Sequence, residues 1–141
     1  METTMQSTYD RVRNSTPDSI NQKIDQKTQQ NIQYYSMQNE MVIKSRIKEL
    51  DHEWDIERVL ALNASLFALT GVILGATVNK KWLILPTVVT VFLAQHAIQG
   101  WCPPLPLFRK TGIRSRKEID KERYALLETM ENRKALDDDR L

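Results

Sequence analysis

One cysteine in 141 residues excludes an internal disulfide framework. A formal net charge of +2 is too small to draw the chain to nucleic acid, and no basic run alternates with aromatic residues, so no nucleic-acid partner is expected. There is no P-loop, dinucleotide fingerprint, nucleophile elbow or zinc-ligand spacing. The sequence therefore names no catalytic residue, no cofactor and no metal, and the expectation is a protein that is not an enzyme. The opening stretch of roughly fifty residues holds no apolar run of signal-peptide type, so a first membrane span has to act as its own insertion signal.

What the chain does hold is two long apolar runs. Residues 59–78 read VLALNASLFALTGVILGATV and residues 82–102 read WLILPTVVTVFLAQHAIQGWC, separated by Asn79-Lys80-Lys81. Each matches the ~20 apolar residues that a helix needs to cross ~30 Å of hydrocarbon. Neither run contains a formally charged side chain, although Asn63, Gln95, His96 and Gln99 interrupt them. Trp54, Trp82 and Trp101 fall at the ends of the runs, where an interfacial aromatic belt is favoured. The expected fold is all-α: a two-helix transmembrane hairpin over residues 56–102, with helices at about 56–78 and 82–101, and amphipathic helical arms on both sides.

The arms are polar. Residues 1–15 read as a disordered tail, in which Asn14-Ser15-Thr16 matches a glycosylation sequon short enough to arise by chance. Residues 16–55 read as a polar, amphipathic helical arm. Thr16-Pro17-Asp18 looks like a helix start with Thr16 as the cap, and Ile20, Ile24 and Ile32 form a thin apolar stripe. After a break at Tyr34-Tyr35-Ser36, a second helix from about Asn39 carries Ile43, Ile47, Leu50 and Trp54 on one face. That face is expected to lie on the cytoplasmic leaflet or to pack on the returning C-terminal helix. Beyond Cys102, Pro103-Pro104-Leu105-Pro106 opposes a continued helix and predicts an extended, Pro-rich exit loop over residues 103–114. Ser115 and Glu118 form a capping box that opens a C-terminal cytoplasmic helix within residues 115–141. Ile119, Tyr124, Leu126 and Leu127 would supply its apolar side, and Asp137-Asp138-Asp139 should fray its end.

Within the first run, Ala64, Ala68, Gly71 and Gly75 recur at helical spacing and place small residues on one face. Small residues allow close backbone approach in lipid. Thr90, Ala94 and Ala97 offer a matching face on the second run. Packing inside the hairpin is the favoured reading, and a homodimer through Gly71 and Gly75 is the other. Asn63 falls at the depth of Ala97, which predicts an intramembrane polar cluster of Asn63, Gln95, His96 and Gln99 acting as a structural clasp. Cys102, at the helix end, is a candidate reactive thiol.

Glu57-Arg58 leads into the small-residue-rich span, which is followed by the short turn and the Gly100-Trp101-Cys102-Pro103 exit. With the continuation Pro104-Leu105-Pro106-Leu107-Phe108-Arg109-Lys110-Thr111-Gly112, residues 57–127 resemble the YgaP-like transmembrane-domain family of small bacterial inner-membrane proteins with unassigned function. The resemblance implies a hairpin and a bacterial inner membrane. The family's hairpin also occurs fused to a rhodanese, but this chain has no rhodanese catalytic loop, so sulfurtransferase activity does not carry over. The functional expectation is a non-enzymatic structural or interaction module whose partners are the lipid bilayer and a further, unidentified protein. The alternative is a membrane accessory in sulfur or thiol redox transfer through Cys102. Lys44, Arg46, Lys48 and Arg58 precede the hairpin and Arg109, Lys110, Arg114, Arg116 and Lys117 follow it, against Lys80 and Lys81 in its turn. This distribution predicts that both termini are cytoplasmic.

Overall fold

A computed structural model describes residues 10–140. Among the described residues there is no strand, and the chain is all-helical. The helices are α1 (Arg11–Asn14), α2 (Asp18–Ser36), α3 (Glu40–His52), α4 (Ile56–Thr77), α5 (Ile84–Gln99), α6 (Leu105–Lys110) and α7 (Arg116–Asp138), with a 3₁₀ turn (Lys80–Leu83) between α4 and α5.

Helices α4 and α5 form the hairpin. The 22 residues of α4 give a length of about 33 Å, and α5 with its 3₁₀ turn reaches about 32 Å. Both are long and apolar enough to cross a membrane. Asp55 caps α4 by accepting from the Arg58 amide at 2.9 Å. At the tip, Asn79 accepts from the Lys81 amide at 2.9 Å and closes the turn. Gly71 and Gly75 are buried where the helices meet: a Cβ on Gly71 would lie 2.4 Å from Pro86 Cδ, and one on Gly75 would lie 2.6 Å from Leu83 Cδ2. These glycines are covered by the hairpin's own second leg rather than open to a second protomer. The matching face is not the expected one, since Thr90, Ala94 and Ala97 are exposed. Pro86 takes their place. It stands in the first turn of α5, where a missing amide costs nothing, and its ring fits the groove that glycine leaves.

Helices α2, α3 and α7 make a polar bundle at the foot of the hairpin. Ile43 and Leu50 of α3 are fully buried against Ile119 and Leu126 of α7, with Tyr35, Ile47 and Met130 around them. The α3 stripe thus packs on the returning helix. Trp54 stands apart from that core, 48% exposed, with the Arg58 guanidinium 4.7 Å above its ring. Tyr124, expected on the packed side of α7, is 63% exposed. At ~100° per residue it lies far around the helix from Ile119, whereas residues 122 and 126 return to the same side. A second core joins the bundle to the hairpin: Val12, Ile56, Leu60, Cys102 and Leu105, flanked by Phe108 and Ile113.

Several local expectations change. Residues 1–9 of the expected disordered tail lie outside the described residues, but residues 11–14 form α1, because Val12 is buried and Arg13 is held by ion pairs. Thr16 does not cap α2; its hydroxyl donates to the Val12 carbonyl at 2.6 Å, and α2 begins after Pro17. The helix also runs through Tyr34-Tyr35 to Ser36. The Pro-rich exit is not extended throughout. It coils into α6, since Pro106 falls in the first turn, where proline is tolerated. Helix α7 runs through Asp138, its final turns tied to α2 by Arg133, which donates to the Ser36 and Gln38 carbonyls.

Candidate functional site at the foot of the hairpin

Two arginine–carboxylate clusters are buried in the helical bundle. Arg109, at the end of α6, is fully buried. Its guanidinium grips Glu118 bidentately at 2.6 and 2.7 Å, and it also donates to Asn21 Oδ1 at 2.9 Å, Thr16 Oγ1 at 3.2 Å and the Ile113 carbonyl at 3.1 Å. All five of its donors are used. Glu118 further accepts from Arg13 at 2.7 Å and from the Ser115 amide at 2.8 Å, the latter being the capping-box bond anticipated from the sequence.

The second cluster lies one turn along α7. Glu122, also fully buried, accepts from Arg46 at 2.9 Å and Arg114 at 2.6 Å. Arg114 in turn holds Glu53 bidentately at 2.9 and 2.5 Å. Burial alone would raise the pKa of Glu118, but hydrogen bonds from Arg109, the Ser115 amide and Arg13 outweigh it and hold the carboxyl below its usual range. Burial opposes ionisation of Glu122 in the same way, and Arg46 and Arg114 reverse the sign. With both carboxylates ionised and their oxygens occupied, neither is placed to move a proton. The clusters are a clamp that ties α1, α2, α3 and α6 to α7.

The anticipated intramembrane cluster is not assembled. Asn63 bonds within its own helix, donating to the Val59 carbonyl at 2.8 Å. Gln95 donates to Gln99 Oε1 at 3.4 Å within α5. His96 is 6% exposed, with Nε2 3.1 Å from Glu57 Oε2. Among the described residues its buried Nδ1 has no partner. Glu57 escapes a search for polar residues inside the apolar runs because it lies before the first of them, yet a helix of α4's length returns the chain to its level. Asn63 and His96 do share the wall of one small apolar cavity of about 160 Å³, together with Cys102, Phe67 and Phe92. Cys102 is 5% exposed within the second core. A thiol so placed behaves as a small apolar side chain rather than an attacking group.

Beneath α5, Arg11 donates to the Ala97 carbonyl at 2.6 Å and the Ile98 carbonyl at 3.2 Å, satisfying acceptors left open where the helix ends. Gly100 follows in the left-handed conformation with φ 77°, and a Cβ there would fall 2.3 Å from Arg11 Cβ. Glycine is thus required twice over, by the backbone turn and by the close approach of α1. Among the described residues no group of three or more His, Cys, Asp or Glu is arranged to hold a metal. No family model, curated protein or solved structure matches the chain.

Proposed function

We propose that this chain is a two-span membrane protein whose polar helices form a non-enzymatic structural or interaction module at the membrane surface. The observation that carries the reading is the contrast between the two halves. The bundle buries its apolar stripes in a core of its own, while α4 and α5 leave theirs uncovered: only 17% and 6% of their most apolar stretches is buried. Leu62, Leu66, Leu69, Val72, Ile73, Val91 and Ile98 all point outward. In water such a surface is an aggregation hazard; against acyl chains it is the ordinary surface of a span. The resemblance to the YgaP-like family supports the same reading and suggests a bacterial inner membrane.

For the interaction role, support comes from Tyr34, Met37 and Met41, which stand 61%, 80% and 80% exposed around the α2–α3 turn. Two methionines beside a tyrosine make an adaptable apolar patch of the kind used at protein interfaces. The test is alkaline carbonate extraction of membranes from expressing cells, followed by co-purification in mild detergent of the native chain and of Met37→Ser/Met41→Ser. Retention in the carbonate pellet and loss of a specific partner by the double variant are expected. Release into the supernatant overturns the membrane reading, and identical partner recovery overturns the role of the patch. Cys102→Ser should leave the partner bound, whereas the thiol-transfer alternative requires its function to be lost.

A further inference from the structure

A second cavity, of about 740 Å³, opens beside α2, and the clamp residues Arg46, Glu53, Arg109 and Arg114 form part of its wall. Its volume is in the range of sites that hold small molecules. The charges that line it are Lys23, Lys27, Lys110, Arg46, Arg109 and Arg114, with Glu53 as the single carboxylate. Glu53 is already held by Arg114, and the three arginines have carboxylate partners. Among the described residues Lys23, Lys27 and Lys110 have no ion-pair partner. Asp25 of the same helix does not line the cavity and is held by Arg13 at 2.7 Å.

Three uncompensated ammonium groups therefore converge on one concave surface. Lys23 and Lys27, four residues apart, lie on one face of α2, and Lys110 comes from the end of α6 opposite. A concave wall of low polarizability focuses their field more than a convex surface would. Pro17 and Ser19 also line the cavity, although Asp18 between them offsets the partial positive charge of the first turn of α2, so the lysines carry the site.

We propose that this cavity binds a phosphate-bearing anion, recognised by Lys23, Lys27 and Lys110. Point charges on flexible stems suit a phosphate that is held by charge rather than by a fixed fork. The phosphate has two sources by geometry. Leu105, at the start of α6, is buried with Ile56 and Leu60 at the foot of the hairpin, so Lys110 lies ~8 Å along that helix from the hairpin base. That distance places it within reach of a lipid headgroup, and the cavity's open mouth equally admits a soluble phosphate compound.

The test uses the full chain purified in a neutral detergent, with thermal unfolding followed during titration of sodium pyrophosphate in one arm and short-chain phosphatidylglycerol in another. Sodium chloride at matched ionic strength and short-chain phosphatidylcholine serve as controls for ionic strength and for added lipid. A saturable rise in melting temperature is expected in at least one test arm and in neither control. Lys23→Gln/Lys27→Gln/Lys110→Gln should weaken the apparent affinity at least tenfold, while Lys80→Gln/Lys81→Gln at the hairpin tip should leave it unchanged. These lysines are exposed, so the triple variant should melt like the native chain when no ligand is added. Response to the lipid alone assigns the phosphate to a headgroup, and response to pyrophosphate assigns it to a soluble compound. No saturable response in either arm, or the same response from the triple variant, overturns the proposal. Pyrophosphate binding in detergent needs no bilayer, so its outcome is independent of carbonate extraction.

Discussion

At the scale of residues, Glu122 is the most consequential side chain in the bundle, since it is fully buried and answers two arginines at once. Removing one partner of a buried ion pair typically costs ~3–5 kcal/mol, because the remaining charge is stranded. Arg114 keeps Glu53 and Arg46 keeps Glu49, so Glu122→Gln should cost less than that full amount yet still lower the melting temperature in detergent, while Lys44→Gln, which breaks only the exposed pair with Glu40, should leave it unchanged. The direction with pH follows from the depressed carboxyls. Glu118 and Glu122 ionise more readily folded than unfolded, so their contribution is complete above the unfolded value of ~4.3 and is lost as pH falls through their lower folded values. Thermal melts between pH 6 and pH 3, values chosen to bracket ~4.3, should therefore decline steeply at the acid end. The slope should be shallower in Glu122→Gln. A flat profile in the native chain would show that the clamp contributes nothing to folding.

At the scale of elements, the hairpin, the α3 stripe and the capping box were legible because each is a local pattern. Apolar length reveals two helices long enough to cross a membrane, a repeat of three and four reveals the face of α3, and Ser115 with Glu118 reveals a helix start. The clamp was not legible for the opposite reason. Arg109 and Glu118 are near in sequence, but Arg13, Asn21 and Thr16 complete their cluster from about a hundred residues away, and no periodicity reports such a meeting. One signal was present: Glu118 and Glu122 stand on the same side of α7 as Ile119 and Leu126, where a carboxylate needs a buried cation. The pairing of His96 with Glu57 was missed similarly, since His96 was expected to meet partners inside the apolar runs and Glu57 stands outside them.

The same elements support two graded tests. A side chain on Gly71 meets the Pro86 ring and backbone, which cannot yield, whereas one on Gly75 meets the flexible end of Leu83. Gly71→Leu should destabilise the hairpin most, Gly75→Leu less, and Leu66→Ala, on the outward face, least. Equal detergent stability of the three would remove the argument. Ile43→Ser/Ile47→Ser should free α3 from α7 and make residues 20–50 protease-sensitive while the chain stays in the membrane fraction. An unchanged cleavage pattern would mean that the buried arginine contacts, not the apolar stripe, hold the arm.

At the scale of the whole molecule, one face of the hairpin's foot carries nearly all of the described polar mass, and this fixes what a bilayer orientation has to satisfy. The bundle α2, α3 and α7 is joined to the hairpin through α1 and α6, so the two ends of the described chain lie on the same side of any membrane that α4 and α5 cross. The alternative orientation would require the clamp, with its buried arginines, to be translocated. Arg46, Arg109 and Arg114 are neutralised inside the bundle, which would weaken the bias if orientation followed net charge. It follows the number of lysines and arginines near the span ends instead, with acidic partners contributing little. By that count the bundle side outweighs Lys80 and Lys81 at the tip, and the bundle should be cytoplasmic. The tip turn gives a readout, because Asn79 is exposed. In a Cys102→Ser background, Asn79→Cys should react with a membrane-impermeant maleimide added to cells whose outer envelope has been made permeable. A cysteine placed at Lys121, on the exposed side of α7, should react only after lysis. The reverse pattern would place the bundle outside and refute the orientation, while reaction of both sites in intact cells would mean that the hairpin does not span.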